Sequence, residues 1–307
     1  MKFKEKTMRK EKRVFALGFF DGVHLGHQAL LRECVAMAEQ LACTAAAITF
    51  DRHPKALFME TPPPLLSTGE TRSKLLRGYG IHHVYQFPVV DAVMSMPWQD
   101  FLRELMDFGA VGFVCGHDFH FGNRGEGSAE KLQAFCRERD LPCVIVPEQT
   151  VDGQRVSSTL IRALIETGEM ETAVRYLGHP HVIAGPVVHG KQIGRTLGIP
   201  TANLVLGEDQ AVPRFGVYAC RCLVGGKAYA AVTNVGTRPT VNGIGVTVEP
   251  WILDFSGDLY DREITLEFHK FLRPETKFEG LNALKEQIQK DAAATRSYFQ
   301  TGDFSLV

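Results

Sequence analysis

The pattern of hydrophobic and polar positions changes once along the chain, close to residue 180. Before that point, short apolar runs alternate with stretches in which apolar residues recur every three or four positions, which predicts strands and amphipathic helices in turn. The predicted strands cover residues 13–17, 44–50, 83–87, 112–115 and 142–146. The predicted helices cover residues 28–41, 71–79, 97–108, 128–139, 158–166 and 169–177. This alternation indicates a parallel sheet with helices on both faces.

After residue 181 the apolar runs become short, β-rich and separated by glycines. Hairpin-type strands at regular spacing are typical of a small antiparallel barrel. The chain then ends with a helical pattern over residues 280–298, which places Leu281, Leu284 and Ile288 on one face. We therefore predict an α/β domain over residues 12–180 and a β-barrel domain over residues 181–307, joined directly between residues 178 and 183.

The composition narrows the classes of function. At 307 residues the chain is long enough for two cores, and its net charge of -1 argues against a nucleic-acid-binding protein, which normally carries a basic face. We expect no membrane span, because no long apolar run is present, and no secretory signal, because the first residues lack an apolar core. Seven cysteines without CxxC spacing indicate reduced thiols, a cytoplasmic location and no zinc site. An oligomer is compatible with this composition, which favours no particular state.

The most informative motif is GFFDGVHLGH, residues 18–27, which lies between a predicted strand and a predicted helix. Backbone N–H groups and the positive end of a helix dipole face an anion in such a turn, and the two histidines add donors for a phosphoryl group. The alternative is a tight turn with surface histidines. The candidate catalytic residues are His24 and His27, and the candidate nucleotide contacts are Gly18, Phe19, Asp21, Gly22 and Gly26.

A second candidate is VSSTLIR, residues 156–162, at the start of a predicted helix. The hydroxyls of Ser158 and Thr159 can cap the helix or contact a phosphate, and Arg162 can present a planar cation one turn later. A plain N-cap with an exposed arginine explains the same pattern.

Two loops at the expected ligand edge of the sheet carry further candidates. The loop CGHDFHFGNRGEG, residues 115–127, contains Asp118, Phe119 and Asn123, which can orient a flat aromatic ligand. A surface loop with core-facing phenylalanines is the alternative. The segment FDRHP, residues 50–54, turns at its proline beside the same edge.

The barrel contains the segment HGKQIGRTLGIPTANL, residues 189–204. Its evenly spaced glycines leave an open backbone that can wrap a polyphosphate, and Thr201 and Asn203 offer the oxygen ligands that Mg²⁺ prefers. A flexible hairpin loop is the alternative. The candidate nucleotide contacts are His189, Gly190, Lys191, Gly194, Gly198 and Pro200.

Glu249 lies within the strand-like run VTVEPWILDF, residues 246–255. An unpaired buried carboxylate is costly, so a role as general base opposite the phosphate loop would explain it. Strand alternation can equally place the side chain in solvent.

Taken together, these motifs resemble the prokaryotic bifunctional riboflavin kinase/FAD synthetase family over nearly the whole chain. The first half is similar to a nucleotidyltransferase with a His-x-Gly-His turn and a Ser/Thr-Arg segment. The second half resembles the riboflavin kinase barrel through PTAN at 200–203, GVYA at 216–219, NVGTRPT at 234–240 and the Glu249 strand. The resemblance implies a Rossmann-like α/β/α domain followed by a Greek-key barrel with a C-terminal helix.

The resemblance also implies two reactions: riboflavin and ATP give FMN, then FMN and a second ATP give FAD and pyrophosphate. It implies that Glu249 is the general base that accepts the proton of the riboflavin 5′-hydroxyl. It also implies that Thr201 and Asn203 hold Mg²⁺ and the phosphates. His24, His27 and Arg162 would stabilise the phosphates in the first domain. The implied flavin contacts are Asp118, Phe119, Asn123 and Arg296.

Four positions depart from the family pattern and affect the expected efficiency, namely Arg52, Pro250, Trp251 and Asp261. Two other functions stay open: an enzyme in which one domain is degenerate, and a flavin-binding carrier without chemistry. An intact base and metal site argue against the carrier.

Overall fold

The computed structural model describes residues 11–189, 198–207, 209–240 and 243–301. Contacts between Cα atoms divide the chain into two compact units, residues 1–158 and 159–307. The hydrophobic pattern changes later, near residue 180, so the boundary between the two functional domains stays a prediction. Within the described ranges, no helix is long and apolar enough to cross a membrane.

The first unit alternates strands and helices as the sequence predicts. Its strands are β1 (Arg13–Leu17), β2 (Thr44–Phe50), β3 (His83–Phe87), β4 (Ala110–Gly116), β5 (His120–Phe121), β6 (Gly127–Ser128), β7 (Cys143–Val146), β8 (Thr150–Val151) and β9 (Gln154–Arg155). Its helices are α1 (Leu25–Gln40), α2 (Gly69–Gly78), α3 (Asp91–Met94), α4 (Trp98–Asp107) and α5 (Ala129–Arg137).

Five of these strands form a parallel sheet in the order β3-β2-β1-β4-β7. Alternate residues of β1 enter opposite cores: Val14 packs with the α1 and α2 side, and Phe15 packs with the α4 and α5 side. The strand order reverses between β1 and β4, where doubly wound sheets form their ligand crevice. The turn after β1 and the loop after β4 therefore meet at one edge.

The second unit contains helices and an antiparallel sheet. Most of helix α6 (Ser158–Thr167) belongs to it, with α7 (Met170–Leu177) and the final helix α8 (Leu281–Thr301). Its strands are β10 (His181–Pro186), β11 (Leu204–Val205), β12 (Gly216–Val224), β13 (Lys227–Thr240), β14 (Gly243–Ile252) and β15 (Glu263–Arg273).

These six strands pair in the order β10-β15-β12-β13-β14-β11. The two outer strands approach each other, since the Val188 N–H donates to the Asn203 carbonyl at 2.8 Å, just beyond the ends of β10 and β11. The sheet is thus a nearly closed barrel, as the sequence predicts. Helix α8 packs on β12 and β13, with Ala292 in a core shared with Val217 and Val232.

The cysteines agree with the expectation of thiols inside apolar patterns. All seven lie in the described ranges as free thiols, and five of them are buried: Cys34, Cys115, Cys136, Cys220 and Cys222.

Candidate active sites

The turn between β1 and α1 has a strained backbone. Phe20 and Val23, both fully buried, adopt positive φ angles of 58° and 42°. A positive φ is unfavourable for bulky and β-branched residues, and such strain is concentrated at functional sites. The turn is therefore held in its shape by the surrounding packing.

His24 and His27 form a stacked pair at the start of α1. His24 is the N-cap residue, and its Nδ1 accepts a hydrogen bond from the His27 N–H at 3.4 Å. The two rings have centroids 3.6 Å apart and an interplanar angle of 13°. A Cβ at Gly26 would lie 3.2 Å from the His24 ring, so the glycine leaves the space that the stack needs.

His27 is held in its neutral form. Burial lowers its pKa well below the usual value, and the nearby charges of His24 and Arg72 lower it further. Its Nδ1 is buried and has no hydrogen-bond partner among the described residues. A neutral imidazole with an unused ring nitrogen is suited to contact a ligand.

Asp21 and Gly22 anchor the turn to the loop before α2. The Asp21 carboxylate accepts hydrogen bonds from the backbone N–H groups of Leu66 and Ser67 at 3.1 and 3.0 Å. The Gly22 N–H donates to the Ser67 hydroxyl at 3.0 Å, and Ser158 donates to the Asp21 carbonyl at 3.0 Å. These bonds shape the turn, and Asp21 and Gly22 do not line the cavity described next.

The turn opens into a cavity of about 310 Å³, here called the turn cavity. His24, His27 and Ser158 are among its lining residues. The remaining lining residues come mainly from the turn, from the loop after β4 and from the β7–α6 segment: Leu17, Gly18, Phe19, Phe20, Gly26, Leu30, Gly116, His117, Asp118, Phe119, His120, Val146, Pro147, Glu148, Gln149, Arg155, Val156 and Ser157.

Arg155 is a cation of the turn cavity that the sequence analysis missed. Its guanidinium forms an ion pair with Asp118, and its Nε lies 3.2 Å from a carboxylate oxygen of Glu148. The signal was its place directly before VSST, but a lone arginine in a two-residue strand has no periodicity to mark it. Asp118, a predicted flavin contact, faces this cavity as the partner of Arg155.

A second cavity of about 250 Å³, here called the phenylalanine cavity, adjoins the first. Its walls include Phe50, Phe87, Phe101 and Phe121. Five residues line both cavities: Leu17, Gly18, Phe19, Phe119 and His120. The predicted flavin contact Phe119 therefore lies where the two cavities adjoin. Asn123, another predicted flavin contact, lines neither cavity.

Thr159 and Arg162 lie further along α6, in the second unit. Their position beside the histidine pair stays a prediction.

In the second unit, Glu249 lines a cavity of about 360 Å³, the Glu249 cavity. Glu249 is half-buried on β14 opposite Asn234 of β13, and one of its carboxylate oxygens accepts from the Thr247 hydroxyl at 3.4 Å. Trp251 lies two residues along the same strand face and lines the same cavity. The other lining residues are Ile199, Thr201, Val217, Val232, Asn234, Arg273, Glu275, Thr276, Phe278, Leu284, Ile288 and Asp291.

A partly buried ion pair forms part of one wall of the Glu249 cavity. The Arg273 guanidinium contacts the Asp291 carboxylate at 2.8 and 3.1 Å, and Gln287 donates to the same carboxylate at 2.9 Å. This pair joins the end of β15 to α8. No sequence motif marks it, because its members are far apart in the chain.

A neighbouring cavity of about 450 Å³, the Pro200 cavity, is lined by Pro200, Thr201 and the segment 255–260. Thr201 lines both cavities of this unit. The ring of His189 stacks on Tyr260 with centroids 3.9 Å apart, and Gly198 has a φ of +72°. The predicted contacts Gly190, Lys191 and Gly194 lie outside the described residues.

The side chain of Asn203 is buried two residues beyond Thr201, and Asn203 is not a lining residue of the Glu249 cavity or of the Pro200 cavity. Its Oδ1 has no hydrogen-bond partner within the described ranges. Arg296, a predicted flavin contact, forms an ion pair with Asp254 at 3.0 Å and is not a lining residue of either cavity.

Comparisons with known proteins match two families to separate parts of the chain. The FAD synthetase family matches residues 6–160, and the riboflavin kinase family matches residues 177–299. A protein of Listeria monocytogenes is 36% identical over 94% of this chain and 92% of its own length. One of Pseudomonas fluorescens is 37% identical over 95% of each chain. Both are named bifunctional riboflavin kinase/FMN adenylyltransferase.

A solved structure also matches nearly the whole chain. It is the crystal structure of a Streptococcus pneumoniae protein described as a macrolide-efflux protein, with 30% identity and a TM-score of 0.84. The match covers 95% of this chain and 96% of that one.

Proposed function

This chain belongs to the bifunctional riboflavin kinase/FMN adenylyltransferase family, and from that premise we propose how its residues divide the work. The enzyme phosphorylates riboflavin with ATP to FMN, then transfers an adenylyl group from ATP to FMN to form FAD. One observation carries the assignment of sites. Each unit has two adjoining cavities that share lining residues, Phe19 in the first unit and Thr201 in the second.

In the first unit we assign ATP to the turn cavity and the flavin ring to the phenylalanine cavity. Helix α1 presents its N-terminus there with no acidic residue in its first turn, which favours a polyphosphate. The aromatic walls of the second cavity suit a flat ring system. The two phosphates that react would meet near Phe19, because that residue lines both cavities.

Adenylyl transfer needs no strong base, since the FMN phosphate is already ionised. One of its oxygens forms a bond to the α-phosphorus of ATP, and the bond from that phosphorus to the pyrophosphate oxygen breaks. His24 and His27 would donate hydrogen bonds to the charged oxygens of this centre. Gly18, Gly26 and Ser158 would contact the nucleotide, and Thr159 and Arg162 are proposed to join them from α6.

Arg155 would bind and stabilise the departing pyrophosphate. It faces the turn cavity and is bound to two carboxylates, Asp118 and Glu148. A planar guanidinium binds phosphate oxygens in pairs, so the triphosphate can compete for it with these carboxylates.

In the second unit we assign ATP to the Pro200 cavity and riboflavin to the Glu249 cavity. The riboflavin 5′-hydroxyl oxygen bonds to the γ-phosphorus, its proton passes to the Glu249 carboxylate, and ADP leaves. Such a transfer depends mostly on positioning and charge stabilisation. Thr201, which lines both cavities, lies where the two substrates would meet.

Thr201 and the nearby Asn203 offer oxygen ligands of the kind that a magnesium ion prefers. The buried Asn203 Oδ1 has no hydrogen-bond partner in the part of the chain that the structure describes, and the Thr201 hydroxyl is a second hard oxygen donor. Bound there, Mg²⁺ would neutralise charge on the ATP phosphates. We also place the enzyme in the cytoplasm, because its seven free thiols suit a reducing compartment.

An assay with labelled ATP tests the proposal that the second unit forms FMN and the first unit forms FAD. With riboflavin as the starting flavin, label from the γ-phosphate should enter FMN, and label from the α-phosphate should enter FAD only. FAD without α-label, or FMN that never proceeds to FAD, would contradict two active units.

A further inference from the structure

A buried arginine lies behind Phe19, one of the five residues that line both cavities of the first unit. Arg72 of α2 is fully buried, and its guanidinium stacks over the Phe19 ring at 4.5 Å from the centroid. It also donates a hydrogen bond to the Phe50 carbonyl at the end of β2. Arg72 lines neither cavity itself.

The guanidinium is incompletely satisfied. Its Nε and Nη1 atoms are buried and have no hydrogen-bond partner among the residues that the structure describes. Burial lowers the pKa of Arg72 to about 10, and the nearby carboxylates of Asp21 and Asp51 oppose that shift. Arg72 therefore keeps its charge at neutral pH in a place where charge is unfavourable. Buried groups of this kind persist mainly where they have a function.

Phe19 is held on three sides. Its carbonyl accepts from the buried Thr49 hydroxyl at 2.6 Å, and its ring contacts the His53 ring edge-on with centroids 5.2 Å apart. Arg72 supports one face of the ring through a cation–π contact. Arg72 thus helps to hold the Phe19 ring in the position where it lines both cavities.

From these contacts we propose that Arg72 is a positioning residue for adenylyl transfer: it holds Phe19 as the common wall of the two cavities and places a positive charge behind the point where two phosphates meet. The inference rests on the proposed function of the first unit. Two anionic substrates repel each other, and a buried charge is screened less than a surface one. Arg72 can therefore favour their approach without touching either.

The charge also reaches the histidine pair. After burial and His24, Arg72 is the third cause that lowers the pKa of His27. Arg72 thus contacts Phe19, which lines both cavities, and also affects His27 in the turn. This combination accords with a role in the reaction rather than in packing alone.

The test compares Arg72→Met, which keeps the length of the side chain without its charge, with Arg72→Lys, which keeps a charge. Arg77→Met is the matched control, because Arg77 is exposed on the same helix. We measure kcat and KM for FAD formation from supplied FMN, riboflavin phosphorylation as an internal control, and the melting temperature. Arg72→Met should lower kcat/KM for FAD formation by about 10-fold to 100-fold, mainly through kcat.

The thermal data separate this role from a structural one. Removal of two unsatisfied donors should leave the melting temperature of Arg72→Met unchanged or higher. Arg72→Lys should recover part of the lost rate, and Arg77→Met should match the wild type. Phe19→Leu should slow the same step, and the double variant Phe19→Leu/Arg72→Met should be no slower than the slower single variant, because both act through one wall.

Three results would overturn the proposal: an Arg72→Met rate within twofold of the wild type, a loss of rate that follows a loss of folding, or additive effects of Phe19→Leu and Arg72→Met. An active wild type with an insensitive Arg72 variant would refute this inference alone. A wild type that makes no FAD from FMN and ATP would refute the proposed function together with it.

Discussion

His24 and His27 lie face to face at the start of α1, 3.6 Å apart between ring centroids. Two positive charges at this spacing would repel each other, and burial adds to the penalty, so His27 stays neutral. A neutral ring can donate one hydrogen bond to a phosphate oxygen without first losing a proton. The pair is therefore suited to stabilise a charged centre rather than to remove a proton from it.

Replacement of His27 tests this role. We expect His27→Ala to slow FAD formation from FMN and ATP by about 100-fold to 1000-fold, the range found when one donor to a developing charge is removed. FMN formation from riboflavin should be unaffected, because Glu249 and Thr201 belong to the other unit. Separation of flavin products by chromatography measures both rates in one sample.

His82→Ala is the control for that experiment, since His82 is exposed outside both cavities. An equal loss of both steps in a folded His27→Ala protein would contradict separate sites.

Replacement of Glu249 should impair riboflavin phosphorylation and leave FAD formation intact, the opposite of the result expected for His27. Glu249→Gln keeps the size of the side chain but loses the basic carboxylate, so riboflavin phosphorylation should fall by about 100-fold to 10,000-fold. FAD formation from supplied FMN should continue at the wild-type rate. Initial rates with each flavin provide the measurement, and Glu286→Gln, an exposed change on α8, provides the control. Retained kinase activity in Glu249→Gln would exclude Glu249 as the base.

Arg155 provides a test of the nucleotide side of the first unit. Because Arg155 faces the turn cavity, Arg155→Ala should raise the KM for ATP in FAD formation by about tenfold, the loss of one charge-assisted contact. The KM for FMN should change less. Arg103→Ala is matched to it, since Arg103 also pairs with an aspartate but on the exposed face of α4. A larger effect on FMN than on ATP would reverse our assignment of the cavities.

The barrel should lose stability in mild acid through His181. Burial, together with the charge of His179, lowers the pKa of His181 to about 4. The unfolded state therefore binds the extra proton first, and the free energy of unfolding decreases as the pH falls from about 6.5 toward 4. The full effect is about 3 kcal/mol for this shift of the pKa.

Urea unfolding of the wild type and of His181→Leu at several pH values measures it. The stability of the variant should decrease less over this pH range, and the difference between the two proteins cancels the contribution of His27, which has the same sign. Parallel pH profiles would show that His181 has no part in the acid sensitivity.

The strands of the parallel sheet were predictable because the apolar run that marks each strand is a local feature of the sequence. β1, β2 and β3 have the predicted ends, since their apolar runs are bounded by glycine, charged residues or proline. The start of α1 was predicted three residues late, because His24 is an uncommon N-cap residue. The short helix α3 was missed, as four residues carry no periodicity.

Residues that line cavities were predictable where the sequence contains a compact motif, while their roles stay predictions. His24, His27, Thr201 and Glu249 line the cavities to which we assign the reactions. Arg155, Arg72 and the pair Arg273–Asp291 were not found, because their partners are distant in sequence and only the fold brings them together. Asp21 was expected at the nucleotide, yet its carboxylate binds the backbone of Leu66 and Ser67.

The central claim is that each unit binds ATP and a flavin in adjoining cavities. A crystal structure of the protein with a non-hydrolysable ATP analogue, FMN and riboflavin tests it most directly. We predict phosphates over His24 and His27 with a flavin ring against Phe119, and a second nucleotide beside Pro200 with a flavin next to Glu249. A nucleotide or flavin bound in only one unit, or the two ligands in exchanged cavities, would contradict the account.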